Sequence, residues 1–387
     1  MEFLNYFTPI YFENESFKNN SLGQKINFHT DSEGFPDLEN IDIALIGVPE
    51  ERGARENVGC AETPNSVRKH IYNLFHRNHK VNIADLGNLK IGSTLQDTYY
   101  ALKEIIAYLI ENKIIPVIIG GSHDLTYGNY LAYEKLEQVI NLTVIDNQFN
   151  LGEANEEINS ASFLSKIILH QPNFLFNYSN IGYQTYFIDQ NAVDLMTKLN
   201  FDIHRLGEIS ADIKQLEPVI RNADLVSFDI SAIRQSDAMG NLYATPNGMY
   251  AEQACQLSWY AGISEKLTSI GFYETNPSFD NRDQTSQLVA QLIWHFIDGF
   301  YNRTNEFPTK NQEDFINYRV VLDNHDHELF FIKSKKTDRW WIKIPFPSNK
   351  GIKYERHQTI PCTYDDYKTA CNNEMPEIWI KTYQKLI

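Results

Sequence analysis

The chain runs to 387 residues, 42% of them hydrophobic and 22% charged, which is ordinary globular usage and excludes a disordered, collagenous or coiled-coil chain. Its formal net charge of −16 opposes the phosphate-neutralising surface that nucleic acid or an anionic membrane requires of a partner. No stretch reaches about 18 uninterrupted apolar residues, and the opening MEFLNYFTPIYFENES lacks the basic and apolar regions of a secretory signal, so no membrane insertion is expected and the chain is assigned to the cytoplasm.

Residues 1–39 show no sustained period and are expected to form an irregular arm. From 40 to 303 short β-branched runs alternate with longer stretches of helical spacing, the pattern of repeated βα units closing on a parallel sheet. The candidate strands are IALIGV (43–48), VNIAD (81–85), PVIIGG (116–121), LTVID (142–146), NIGYQ (180–184), IHRLG (203–207), LVSFDI (225–230) and TSIGFYE (268–274). Eight such strands make one wide sheet. Helices are predicted over Thr94 to Asn112, Asn247 to Ala261 and Asp283 to Tyr301, the last two opened by Asn247 and Asp283 as N-caps.

After FPTKNQED the pattern changes, and residues 304–387 read as a separate α+β extension. HELFFIKSKKTDRWWIKIPF reads as a hairpin around a polar KSKKTD turn, with Trp340 and Trp341 on opposite faces. From Thr309 onward the charge is +2, leaving −18 on the first 308 residues. Tyr364, Tyr367, Trp379 and Tyr383 follow at mixed spacing, and aromatic weight of this kind favours packing against the parent domain over a ligand platform. Cys60, Cys255, Cys362 and Cys371 stand far apart, which suggests neither a zinc pair nor a disulfide framework.

In open α/β sheets ligands bind beyond the carboxyl ends of the strands. Three such ends carry polar clusters: GGSHD places His123, IDNQFN places Asp146, Gln148 and Asn150, and SFDISAIR places Asp229 and Ser231. Residues two apart on an extended segment share a side, so these groups can converge on a cation. Singly, each also reads as a loop cap or a satisfied polar contact. The consecutive Ser122, His123 and Asp124 do not make a nucleophilic relay, because sequence neighbours lack its geometry. Gly120 and Gly121 make a tight turn without the spacing of a phosphate loop.

In order and context these motifs resemble the ureohydrolase family (arginase, agmatinase, formimidoylglutamase). The matching residues are Gly47, Val48 and Pro49 followed by Gly59, Pro64 and Arg68; Gly120 to Asp124; and Glu274 with Asn276 and Pro277. The resemblance spans about residues 40–303 and leaves the C-terminal module uncovered. It implies a three-layer α/β/α domain around an eight-stranded, mostly parallel sheet, and a site for two manganese ions bridged by hydroxide. His123, Asp146 and Asp229 match that family's ligands, whereas Gln148 stands for a His, Asn150 for an Asp and Ser231 for an Asp.

Asp146 and Asp229 alone supply too little negative charge for two adjacent dications. The expectation is therefore at most one divalent metal, manganese, on His123, Asp146, Asn150 and Asp229, with the second position empty. The family's proton-shuttling His has no counterpart before His170. Glu274 matches the carboxylate that receives a guanidinium or amidine group, and reads equally as a structural acid. Two functions follow from the resemblance: a protein that has lost the dinuclear hydrolase and acts by binding or scaffolding, with a protein partner at the C-terminal module; or a hydrolase of linear amidine or guanidino compounds running on one metal. A homo-oligomer is expected on the same ground.

Overall fold

The β-branched runs and the helices between them close into three layers in the computed structural model, which describes residues 3–12, 16–77, 80–153, 156–308, 312–322, 328–345 and 352–386. In chain order the strands of the main sheet are β1 (Phe7–Thr8), β2 (Ile26–Phe28), β3 (Ile43–Val48), β4 (Ile83–Leu89), β5 (Ile115–Gly120), β6 (Ile140–Ile145), β7 (Leu175–Tyr183), β8 (Asp202–Arg205), β9 (Leu225–Asp229) and β10 (Ser269–Tyr273). Their spatial order is β1-β4-β3-β5-β10-β9-β6-β7-β8, with β2 also on β4. Only β1 runs antiparallel to its neighbour. Strands β3, β5 and β6 are buried along their whole length, as a parallel sheet covered by helices on both faces requires.

The eight expected strands are all present, and the arm adds two that the sequence does not announce. β1 pairs with β4 at Asn88 and Leu89, and β2 pairs with it at Ile83 to Asp85. The arm is thus not wholly irregular: two short segments share the free edge of β4 and satisfy its backbone groups. β4 itself runs past Asp85 because the register with β3 shifts at this point, with Gly87 at φ 86°, a β-bulge conformation that glycine admits without strain.

Two expected caps move. Helix Gln284–Tyr301 is preceded by Asp283, whose side chain makes no capping bond. Asp280 caps it instead, its carboxylate accepting the Thr285 and Ser286 amides at 2.7 and 2.8 Å. Helix Ala251–Ile263 begins after Tyr250, whose amide donates to Gln253 Oε1 at 2.8 Å. Asn247 belongs to the preceding turn, where its Nδ2 donates to Tyr186. Helix Leu95–Glu111 is capped by Thr94, which with Asp97 forms a reciprocal capping box.

The C-terminal hairpin is part of a four-stranded antiparallel meander of β11 (Phe315–Val321), β12 (Glu328–Ser334), β13 (Trp340–Lys343) and β14 (Thr359–Cys362). Helices Tyr364–Cys371 and Glu377–Leu386 follow. Thr309, where the charge balance was seen to change, lies outside the described residues with Lys310 and Asn311. Trp340 stacks on Tyr367 with ring centroids 4.8 Å apart, while Trp341 turns to Phe315 and lies under the Arg221 guanidinium. Both tryptophans are buried, as is Trp379. Leu329, Phe331, Ile342 and Ile360 share one apolar cluster with Leu142 and Tyr178 of the main sheet, so the module is packed against the α/β body. None of the described helices is long and apolar enough to cross a membrane.

Candidate metal centre

Strands β5, β10, β9 and β6 are consecutive neighbours in the sheet, and the polar clusters of the sequence sit at their carboxyl ends. His123 follows β5, Glu274 follows β10, Asp229 ends β9 and Asp146 follows β6. Residues 151 positions apart in sequence, His123 and Glu274, are thereby in direct contact. Gly121, whose carbonyl accepts the Glu274 amide at 2.8 Å, lies against the Glu50 backbone, where a Cβ would stand 1.9 Å from the Glu50 carbonyl oxygen.

Each aspartate ties one oxygen to its own loop and leaves the other for the site. Asp146 Oδ1 accepts the Gln148 amide at 2.9 Å, and Asp229 Oδ1 accepts the Ser231 amide at 2.7 Å. The two Oδ2 atoms lie 3.3 and 3.0 Å from His123 Nδ1. The other face of the imidazole is fixed, with Nε2 2.8 Å from Ser227 Oγ, which is itself 2.6 Å from Thr126 Oγ1. Burial alone would lower the His123 pKa, but the hydrogen bonds to Asp146 and Asp229 outweigh it and raise the pKa to about 10. Burial, and then the neighbouring Asp229 charge, pushes Asp146 up.

Asn150, at φ 56°, brings its amide to the same point. Its Nδ2 donates to the Ser160 carbonyl at 2.8 Å and stands 3.1 Å from His123 Nδ1, while Oδ1 is buried without a partner. The amide orientation is set by the Ser160 carbonyl, which can only accept. As held, Asn150 therefore turns its nitrogen, and not its oxygen, toward the ligand cluster. Gln148 is exposed, and Ser231 is buried.

Glu274 has both oxygens engaged within the chain. Oε1 accepts the His123 amide at 2.8 Å and Oε2 accepts Asn57 Nδ2 at 2.7 Å, while Asn57 and Asn241 both donate to its carbonyl. Burial, followed by the Asp229 charge, raises its pKa to about 8. Asp124 does not join the cluster; it accepts from the Tyr99 hydroxyl. His170 caps helix Phe163–Leu169 and pairs with Glu134 at 3.3 Å.

The donor set fits a divalent ion. His123, Asp146 and Asp229 are all buried and present ligand atoms within 4.8 Å of one another, and Asp146 Oδ2 has no partner beyond the His123 ring 3.3 Å away. The Nε2 contact to Ser227 is the outer support that orients metal-ligating imidazoles. Gln148 and Ser231 offer neither the imidazole nor the carboxylate that transition ions favour. The cleft over this cluster measures about 60 Å³ and is rimmed by Arg55 and Tyr243.

Asn57, Asn241, Arg55 and Tyr243 escape sequence reasoning because nothing local marks them. Ser227 does carry a signal. It lies two residues before Asp229 on the same strand, and hence on the same face.

The profile of the arginase family matches residues 41–298. A formimidoylglutamase of Staphylococcus epidermidis is 27% identical over 287 residues, covering 70% of this chain and 92% of the relative. The crystal structure of formimidoylglutamase from Bacillus subtilis superposes with a TM-score of 0.67 at 18% identity, over 76% of this chain and 97% of that one. Formiminoglutamase of Trypanosoma cruzi, determined with Mn2+, gives 0.64 at 18% identity, over 69% and 96%. The likeness to these two structures is one of fold.

Proposed function

The chain belongs to the arginase family, and from that premise we propose that it has kept the formimidoylglutamase-like scaffold with a single divalent-cation position, has lost the dinuclear hydrolase, and acts by binding. The observation that carries this reading is the asymmetry of the cluster. Three ligand atoms converge at His123, Asp146 and Asp229, while the residues that would complete a second position are an exposed glutamine and a serine.

Charge supports the reading. Two carboxylates leave a pair of dications poorly neutralised, and close like charges are costly at low effective dielectric. A divalent ion held at His123, Asp146 and Asp229, manganese by analogy with the relative determined with Mn2+, would supply Lewis-acid polarisation of a ligand atom. The chain's own residues do the rest. Ser227 orients the His123 ring, the Gln148 and Ser231 amides orient the two carboxylates, and Asn57 with the His123 amide fixes Glu274. Among the described residues that rim the cleft there is no histidine to move a proton to a leaving amine. The cleft of about 60 Å³ suits a head group such as an amidine or guanidinium, and is well below the roughly 300 Å³ at which pockets engulf whole ligands.

A second reading, hydrolysis of a linear amidine on the one ion, is favoured by the convergence of the His123, Asp146 and Asp229 ligand atoms on a single position. Manganese titration of purified protein, followed by metal analysis and by ammonia and urea release from a panel of amidines and guanidines, separates the two. The proposal expects no more than one ion per chain and no turnover. Turnover at one ion per chain would establish the second reading, and two ions per chain would refute both.

A further inference from the structure

A second polar cavity lies elsewhere in the molecule, under the C-terminal module. Along β6, β7 and β8 one face carries Asn141, Thr143, Asn177, Ser179, Asp202 and His204, where a parallel sheet covered on both sides ordinarily carries Val, Ile or Leu. On the other face of the same strands Leu142, Val144 and Tyr178 lie in the apolar core. The polar face is roofed in part by β14 and helix Glu377–Leu386, which bound a solvent-connected cavity of about 250 Å³. Asn141, Ser179 and Asn177 are 2%, 3% and 6% exposed. Asn141 and Asp146 sit at opposite ends of β6, about 16 Å apart at the rise of an extended strand, so this cavity is separate from the metal centre.

Most polar groups around it are satisfied. Asp202 accepts Asn177 Nδ2 at 2.8 Å, and Lys381 lies 3.5 Å from Asp202 and 2.7 Å from Glu377. Asp366 is closed in the capping box of Thr363. Three groups are left over: His204 Nε2 is buried without a partner, its Nδ1 lying 3.4 Å from Glu208, and the other two face a ligand-sized space. Asn141 donates through Nδ2 to the Asn222 carbonyl at 2.8 Å, but its buried Oδ1 has no partner. The half-buried Lys385 ammonium donates to Asn177 Oδ1 and pairs with no carboxylate among the described residues. Buried polar groups are normally hydrogen-bonded, and sequestered charges are normally paired. The missing partners are a donor for Asn141 and an anion for Lys385.

We propose that this cavity is a second ligand site, taking a small carboxylic acid of amino-acid size that bears an N–H donor, with its carboxylate on Lys385 and its N–H on the Asn141 side-chain oxygen. The volume suits a molecule of amino-acid size, and the polar sheet face favours one with polar groups. Because β14 and the last helix form the roof, an occupant bridges the module and the α/β body and stabilises both. The proposal does not depend on the state of the metal centre.

The test uses the full chain in calorimetric titrations and thermal melts with L-glutamate, L-glutamine, succinate (no N–H) and putrescine (no carboxylate). The amino acids are expected to bind and raise Tm, succinate to bind about tenfold more weakly, and putrescine to have no effect. Lys385→Met, which keeps length and removes charge, is expected to weaken binding at least about tenfold. The double change Asn141→Leu with Thr143→Val fills the cavity and should abolish binding; it decides the matter if Lys385→Met does not fold. Glu274→Gln, in the other cleft, should leave this binding intact. The proposal is overturned if no amino acid binds up to about 10 mM, if binding survives the changes at Lys385 and Asn141, if it is lost in Glu274→Gln, or if putrescine binds best.

Discussion

Asn150→Asp probes the single-ion position with two effects of opposite sign. Asn150 is 8% exposed, and its Nδ2 is the donor that satisfies the Ser160 carbonyl at 2.8 Å. An ionised carboxylate in its place has no donor to offer, and leaving that carbonyl unpaired costs ~1–3 kcal/mol before repulsion from Asp146 and Asp229 is added. The new group can escape by staying protonated, at up to ~4 kcal/mol near neutral pH given 1.36 kcal/mol per pKa unit. The variant dialysed against chelator is therefore expected to be ~1–4 kcal/mol less stable than the parent. Manganese reverses the order, because a third carboxylate beside His123 Nδ1 completes the ligand set. Free metal at a hundredfold excess over its Kd stabilises by ~2.7 kcal/mol, and the variant should reach that excess at lower concentration than the parent. Thermal melts of both proteins across a manganese series, with chelator blanks, give the two curves. Curves that never cross, or a variant as stable as the parent in chelator, would refute the assigned orientation of Asn150.

Three further outcomes test the frame of the site. Arg68 makes a two-pronged pair with Asp85 at 2.9 and 2.8 Å, both residues being buried; Arg68→Met should destabilise by ~3–5 kcal/mol in urea unfolding, and adding Asp85→Leu should recover part of the loss. Asp280→Ala should cost ~1–2 kcal/mol as a lost cap, whereas Asp283→Ala should stay within about 0.5 kcal/mol; the reverse order would return the cap to Asp283. Burial, and then the Lys266 and Arg356 charges, holds the fully buried His357 well below its ordinary value of 6.5. As pH falls below 6.5 the unfolded chain takes up a proton that the folded chain refuses, so stability declines by up to ~1.4 kcal/mol per pH unit. His357→Phe keeps the stacking partner of Phe176, 4.0 Å away, and should flatten the melts between about pH 7 and 5; an unchanged slope would count against the assignment.

The main sheet was legible because its strands are continuous β-branched runs, and periodicity finds such segments without knowing their neighbours. Strand β7 shows where this fails. NIGYQ was read, but LFNYS before it was not, since Asn177 and Ser179 resemble loop residues and are explained only by the polar cavity they face. β1 and β2 were missed because strands of two and three residues exist through the β4 edge they cover and carry no period of their own. Asp283 directly precedes the apolar run and so reads as its cap, whereas the chain takes left-handed φ at Arg282 and Asp283 and so delivers the Asp280 carboxylate to the helix start. His123, Asp146 and Asp229 could be singled out because strand ends converge in a parallel sheet, and Glu274 through the family resemblance. The orientation of the Asn150 amide could not be, because the Ser160 carbonyl that sets it comes from a loop without periodic pattern.

Crystals grown in manganese and measured at its absorption edge address the electrostatic claim without passing through activity. One anomalous peak per chain, bounded by His123 Nδ1 and the Oδ2 atoms of Asp146 and Asp229, is the predicted result. Two fully occupied peaks about 3.5 Å apart, the second between Gln148 and Ser231, would contradict it.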